Sequence, residues 1–187
     1  MLNASLKIEF RRASKDYYNK ILEWLEEPHV REFWDNSLEH RKDIFIFMNG
    51  RKEPSPYWNG IFDYWIGFMN GDPYCLLMTS EILPTQSDLS ETWKMHLSRT
   101  GKTYSIDFMI GNKNYLGRGL AAFTLEFFIK FIHDNDSLID TFLIDPAEYN
   151  PKAKHVYEKS GFSTVATFFR NIGDKEQIKH YLMVKKL

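Results

Sequence analysis

Between Tyr104 and Phe131 the sequence reads YSIDFMIGNKNYLGRGLAAFTLEFFIKF. A short apolar stretch carries one acid, Asp107. A turn follows in which Gly117 and Gly119 flank Arg118, and a long apolar segment starts at Leu120. Strand, glycine turn and helix in that order form a cradle for an anion. The first N–H groups of a helix lack partners within it and sit at the positive end of its dipole, and glycine lets a phosphate approach them closely. The same glycines also read as a plain tight turn. Two known phosphate motifs are excluded: the Gly-Lys-Ser/Thr of a P-loop is absent, and Ala122 stands where the dinucleotide fingerprint needs its third glycine.

Three other stretches hold residues with chemical potential. From Asp145 to Phe162 the chain reads DPAEYNPKAKHVYEKSGF: Asn150-Pro151 opens a helix bearing Ala153, Val156 and Tyr157, and Gly161 closes it in the left-handed position. Pro28 to Asp35 (PHVREFWD) sets two large rings among charges. It reads either as a helical turn plugging the core with Phe33 and Trp34, or as a rim on which Trp34 stacks against a ligand. The polar segment from Leu83 to Lys102 is too long for a simple connector and is expected on the substrate side.

The elements that position these residues follow from periodicity. Leu6 to Phe10 alternates as a strand. Ser14 caps a helix with Tyr17, Tyr18, Ile21, Leu22 and Leu25 on one side, and Pro28 stops it. A second helix runs from Ser37 to Met48 with Ile44, Phe45 and Met48 on one face, and Pro54, Pro56 and Gly60 make Arg51 to Gly60 a loop. Tyr64 to Met69 and Tyr74 to Thr79 form a hairpin about Asn70-Gly71. Tyr104 to Ile110 is a strand, and Leu120 to about His133 a helix whose Leu120, Phe123, Leu125, Phe127, Phe128, Phe131 and Ile132 predict burial on several sides. Leu138 to Ile144 reads as a strand covered on both faces. Phe162 to Phe169 and Ile178 to Lys185 are strands joined near Asn171 to Asp174. The order β, α, α, ββ, β, α, β, α, ββ predicts a mixed α/β sheet with helices on both faces.

Composition narrows the partners. The net charge of −1, without a basic run, lacks the footprint of nucleic-acid binding. No stretch approaches the roughly 18 apolar residues of a membrane span. The first residues lack the apolar core of a signal peptide. With a single cysteine, Cys75, in the apolar run YCLLM, a buried inert thiol and a cytoplasmic location are expected. The six histidines are scattered without a ligand pair, so no metal is expected, and no Gly-x-Ser-x-Gly elbow occurs. At 187 residues one domain, 1–187, is expected.

Asn114-Tyr115-Leu116-Gly117-Arg118-Gly119 resembles the coenzyme-A pyrophosphate signature of the GCN5-related N-acetyltransferases (GNAT), Gln/Arg-x-x-Gly-x-Gly/Ala, with Asn114 replacing Gln/Arg. Asn150 to Phe162 resembles the second signature, Asn-x-x-Ala-x-x-x-Tyr-Glu-Lys-x-Gly-Phe. Within that superfamily the chain is similar to aminoglycoside 6′-N-acetyltransferases in Glu23-Trp24-Leu25, in His29 to Trp34, in Ile106-Asp107 ten residues before Gly117, and in Asp145-Pro146.

The resemblance implies a mostly antiparallel sheet of about seven strands. The strand bearing Asp107 would splay from Leu138 to Ile144, leaving backbone groups of Met109, Ile110 and Gly111 free for the pantetheine arm. It implies acetyl-CoA as cofactor, with Leu116, Gly117, Arg118, Gly119 and Leu120 on the pyrophosphate and Asn150 hydrogen-bonded nearby. Tyr157 would protonate the departing thiolate, unless it is simply a core aromatic. Asp107 would orient or deprotonate the attacking amine, unless it is an idle strand charge. Asp145 would bind a second ammonium of a polyamine such as an aminoglycoside. Trp34 and Glu81, with Asp88, Glu91 and Trp93 in the following loop, are the remaining acceptor-side candidates. A monomer or weak homodimer is expected.

Two rivals share this fold. Pro28 to Asp35 also resembles siderophore-type hydroxylysine acyltransferases, which usually carry histidine where Asp107 stands, and peptides or ribosomal proteins are further possible acceptors. The other rival is an acyl-CoA-binding sensor without turnover.

Overall fold

The computed structural model describes residues 7–172 and 176–187. The start of the predicted first strand at Leu6 and the Gly173-Asp174 part of the last turn lie outside them. Strands run in the order β1-β2-β3-β4-β5-β7-β6. The chain groups into two compact units, Met1–Ser80 with Asp107–Leu120, and Glu81–Ile106 with Ala121–Leu187.

In the first unit β1 (Ile8–Arg12), β2 (Asp63–Met69) and β3 (Asp72–Ile82) pair antiparallel in sequence order. Asn70 (φ 52°) and Gly71 (φ 90°) make the two-residue turn between β2 and β3, as a primed hairpin turn requires. Helix α1 (Tyr18–Glu26) follows a 3₁₀ turn at Lys15–Tyr17, and Ser14 precedes that turn without a side-chain capping bond. Pro28 both ends α1 and starts α2 (Pro28–Arg31), because proline at the first helical position gives up an N–H that had no partner there. Ser37 caps α3 (Leu38–Met48), its Oγ accepting from His40 N at 3.2 Å.

The buried face of α3 is His40, Asp43, Ile44 and Phe47, whereas Phe45 is exposed. Of the expected face, Ile44 is in the core and Met48 packs against it, whereas Phe45 is corrected to exposed; the inward face also takes His40, Asp43 and Phe47, with Asp43 drawn in by an ion pair to Arg51. Ile21, Leu25, Ile44, Tyr64, Phe68 and Leu76 form the heart of this core. Cys75 is fully buried, and burial pushes its thiol pKa up to about 12, so it is an inert apolar filler.

Strand β4 (Lys102–Ile110) has its residues up to Ile106 in the second unit, where it pairs parallel with β5 (Ile139–Ile144) over Lys102 to Ser105. Strand β7 (Glu176–Lys186) pairs antiparallel with β5 and with β6 (Ser163–Ile172). The mixed, mostly antiparallel sheet of seven strands with flanking helices is therefore present. The Leu83 to Lys102 segment is not structureless: Ser90 caps a helical turn, α4 (Glu91–Lys94).

Helix α5 (Leu120–Asn135) buries Thr124, Leu125, Phe128, Ile129 and Ile132, a single face at three- and four-residue spacing. Phe123 and Phe127 lie outside that face and pack on each other at 4.4 Å while remaining exposed, so burial on several sides is corrected to one side. Helix α6 (Pro151–Lys159) ends at Gly161, whose φ of 87° is the left-handed stop expected there.

Candidate active site

The glycine turn begins with Asn112, whose Oδ1 accepts from Asn114 N at 3.1 Å, and a 3₁₀ turn at Lys113–Tyr115. Gly117 and Gly119 then adopt φ of 70° and 71°, and a Cβ built on either would meet nothing within 4 Å. Packing thus does not demand glycine here; backbone conformation does, and the space above both residues is open. Arg118 is exposed, 5.7 Å from the Tyr115 ring centroid, and Leu116 is exposed beside it. Leu120 opens α5. An open glycine turn with an exposed cation, leading into a helix start, fits a pyrophosphate.

The strand end before this turn is tightly tied. His29 Nε2 donates to the Ile110 carbonyl at 2.9 Å, and the Gly111 and Asn112 N–H groups donate to Tyr74 O at 2.9 and 3.0 Å. The expectation of free backbone groups is therefore corrected for the Ile110 carbonyl and the Gly111 N–H, which the protein satisfies itself. Gly111 is glycine for packing, since a Cβ would run into the Trp24 ring. Met109 is buried and belongs to the first core.

Asp107 lies half-exposed on β4 in a group of acids and rings. The Tyr57 hydroxyl pKa is raised by burial, by the charges of Asp35 and Asp107, and by a hydrogen bond to Asp35. The Tyr57 ring stacks on His40 at 4.6 Å, His40 Nδ1 donates to Asp35 O at 2.6 Å, and Trp34 leans on His40 at 6.2 Å. Trp34 is half-buried and packs against the first core, so part of it plugs and part of it faces out. Asp35, Tyr57, Trp34 and Asp107 thus combine carboxylates with aromatic surface.

Tyr57 escaped the sequence reading because it sits in the proline-punctuated loop after α3. The one signal was an aromatic pair, Tyr57-Trp58, in an otherwise polar connector. Arg51 pins that loop: it is ion-paired with Asp43 at 2.6 Å and donates to Asp43 O at 2.9 Å and to Gly60 O at 3.2 Å. Ser55 Oγ also donates to Asp43 and accepts from Tyr57 N at 3.2 Å.

The remaining candidates belong to the second unit. Tyr157 is 8% exposed on α6, with its ring 6.2 Å from Phe162. Asn150 caps that helix, its Oδ1 accepting from Ala153 N at 3.1 Å. Asp145, at the end of β5, is 2.8 Å from Arg170 Nη2 and 3.3 Å from His180 Nδ1. Glu81 is half-exposed near the end of β3, and its charge reaches Lys102, which is paired with Asp136 at 2.6 Å. Trp93 of α4 meets Phe168 edge-on at 5.9 Å. Among the described residues, no group of three or more His, Cys, Asp or Glu is arranged to hold a metal ion, and no helix is long and apolar enough to cross a membrane.

Comparison with solved structures places the fold among acetyltransferases. An aminoglycoside N(6')acetyltransferase from Legionella pneumophila is 27% identical, with 97% of this chain and 94% of the other aligned and a TM-score of 0.72. AAC(6')-Ib in complex with coenzyme A and kanamycin (21% identity, 96% and 95% covered, TM-score 0.71) shares the fold. So does a spermidine N-acetyltransferase from Vibrio cholerae in complex with CoA and spermine (14%, 96% and 95%, TM-score 0.69). Among curated proteins none matches significantly. The family model for the acetyltransferase (GNAT) domain matches residues 15–169, and the chain therefore belongs to the GNAT acetyltransferases, whose acyl donor is acetyl-CoA.

Proposed function

We propose that this chain transfers an acetyl group from acetyl-CoA to a primary amine of an aminoglycoside, at the 6′ position, by direct attack in a ternary complex. One observation carries the choice of acceptor: Asp107 shares its surroundings with Asp35, Tyr57 and Trp34. Carboxylates with aromatic faces suit a polycationic sugar, and one of them must take the proton that an ammonium loses before it can attack. The likeness to the Legionella aminoglycoside enzyme supports the same reading.

Acetyl-CoA, when bound, supplies the acetyl group as a thioester. The turn from Leu116 to Leu120 would hold its pyrophosphate, through the N–H groups that Gly117 and Gly119 leave accessible and the charge of Arg118. Met109 would offer backbone to the pantetheine arm, and Asn150 its amide donor. Asp107 orients the acceptor nitrogen and takes the proton that its ammonium form loses before attack; the second proton, shed as the amide forms, replaces the one that Tyr157 gives up. Tyr157 gives its phenolic proton to the sulfur as the C–S bond breaks. Asp145, Glu81 and Trp34 are the further acceptor contacts. Residues 1–187 would act as one catalytic domain in the cytoplasm, as a monomer or weak dimer.

The test is thiol release from acetyl-CoA with kanamycin, spermidine, N-hydroxylysine and a lysine peptide as acceptors. Turnover is expected with kanamycin. Release only with N-hydroxylysine, spermidine or the peptide would move the acceptor class, and tight CoA binding without any release would make the protein a sensor.

A further inference from the structure

At the end of β5, Asp145 faces a cation that the chain itself supplies. Arg170 Nη2 lies 2.8 Å from Asp145 Oδ2, and the Arg170 guanidinium carbon stands 5.8 Å from the Phe168 ring centroid. Phe168 is stacked on His180 at 5.5 Å and meets Trp93 edge-on. A carboxylate on one side and a ring face on the other are the two contacts an alkylammonium ion seeks. The arginine already makes both.

It makes them incompletely. Asp145 is only 14% exposed, yet its Oδ2 has no aligned hydrogen-bond donor, since the Arg170 contact is ionic and off-line. Beside it His180, 9% exposed, donates from Nδ1 to Asp145 O at 2.8 Å and leaves Nε2 buried without a partner. The buried Asp145 Oδ2 therefore awaits a better-placed donor, which a compact ammonium with three donors can be and a planar guanidinium in this position is not. Arg170 is 41% exposed and sits on β6, the last strand in the order, so its head group is within reach of water.

We propose that Arg170 occupies an ammonium subsite at Asp145 as an internal competitor, which a polycationic acceptor displaces with its second amine. The inference rests on the amine-acceptor reading above. Arg170 is then a specificity-determining residue: it raises the KM of acceptors with several amines and is indifferent to those with one.

The experiment compares the wild type, Arg170→Ala, Arg170→Lys and the double variant Asp145→Asn/Arg170→Ala against Asp145→Asn alone, by thiol release with kanamycin and with a monoamine. Arg170→Ala is expected to lower the kanamycin KM at least fivefold relative to the monoamine KM, Arg170→Lys to restore it, and the gain to vanish in the Asp145→Asn background. An unchanged or raised ratio in Arg170→Ala overturns the proposal, as does an equal gain without Asp145. If wild type releases no thiol with any amine, the amine-acceptor reading has failed on its own. Calorimetric titration of kanamycin into the same proteins then decides: tighter binding to Arg170→Ala only with Asp145 intact upholds the subsite, and equal binding overturns it.

Discussion

Asp43 and Arg51 form an ion pair at 2.6 Å in which neither side chain reaches solvent, at 0% and 4% exposure. Ser55 and Tyr64 complete the shell, the Tyr64 hydroxyl donating to Asp43 Oδ2 at 2.6 Å. Such a pair is costly to desolvate, and most costly when broken on one side. Its effect is to fasten the loop that carries Tyr57. Arg51→Ala should lower stability by roughly 3–5 kcal/mol in chemical denaturation, because Asp43 is left as an uncompensated buried charge. Asp43→Leu with Arg51→Met should recover most of that loss; a loss under about 1 kcal/mol in the single variant would contradict a buried pair.

The glycine turn makes a different demand. Gly117→Val places a branched side chain at a φ of 70°, with a strain of about 1–2 kcal/mol. No neighbour lies within 4 Å to clash with it, so the melting temperature should fall only by the several degrees, roughly 2–8 °C, that this strain costs. Coenzyme A affinity, measured by calorimetry, should fall at least about tenfold, equivalent to 1.4 kcal/mol. Unaltered affinity would remove the turn from the cofactor site.

Asp107→Asn keeps shape and removes the proton acceptor. A fall in kcat of about 100-fold or more is expected, with coenzyme A binding unchanged. Its natural companion is Tyr57→Phe, which deletes the hydroxyl lying in the field of Asp35 and Asp107 and should raise the acceptor KM without touching that for acetyl-CoA.

His40 is fully buried, and burial holds its pKa below the ordinary 6.5, against the opposing pull of the Asp35 carbonyl and the Asp35 and Asp43 charges. Below pH 6.5 the unfolded chain binds a proton that the folded chain refuses. The unfolded state then carries more protons, and stability falls as pH drops toward the folded-state pKa. The melting temperature should decline between about pH 6.5 and 5, and His40→Gln should flatten that slope. An identical slope in the variant would assign it to other groups.

The cap of α6 separates structure from chemistry at Asn150. Asn150→Ala should cost about 1 kcal/mol of stability, and Asn150→Ser should restore it, since serine also caps. If Asn150 also touches the cofactor through its amide, Asn150→Ser will leave coenzyme A affinity reduced while stability is normal.

Much of this protein was legible from short stretches. The Asn70-Gly71 turn, Pro151 at the start of α6, Gly161 at its end and the two left-handed glycines before α5 are all demands that a few consecutive residues place on their own backbone. Burial was less legible. The sequence of α5 showed apolar residues around most of the helix, but only packing decides that Leu125, Phe128, Ile129 and Ile132 face in while Phe123 and Phe127 face out. On α3 the inward face contains a charge, and no apolar pattern announces one.

By itself the sequence determined the order of the elements, the two-glycine turn before α5, the capped helix of Tyr157 and the acid on β4, because each is set by local backbone preference and side-chain period. Only the tertiary structure decided that the Asp107 charge reaches the Tyr57 hydroxyl, that Arg51 serves Asp43, that His29 and Tyr74 claim the backbone at Ile110 and Gly111, and that Arg170 holds Asp145. The physical reason is sequence separation. Contacts between distant positions are selected by close packing and by the need to satisfy buried polar groups, and neither is written in any one stretch of chain.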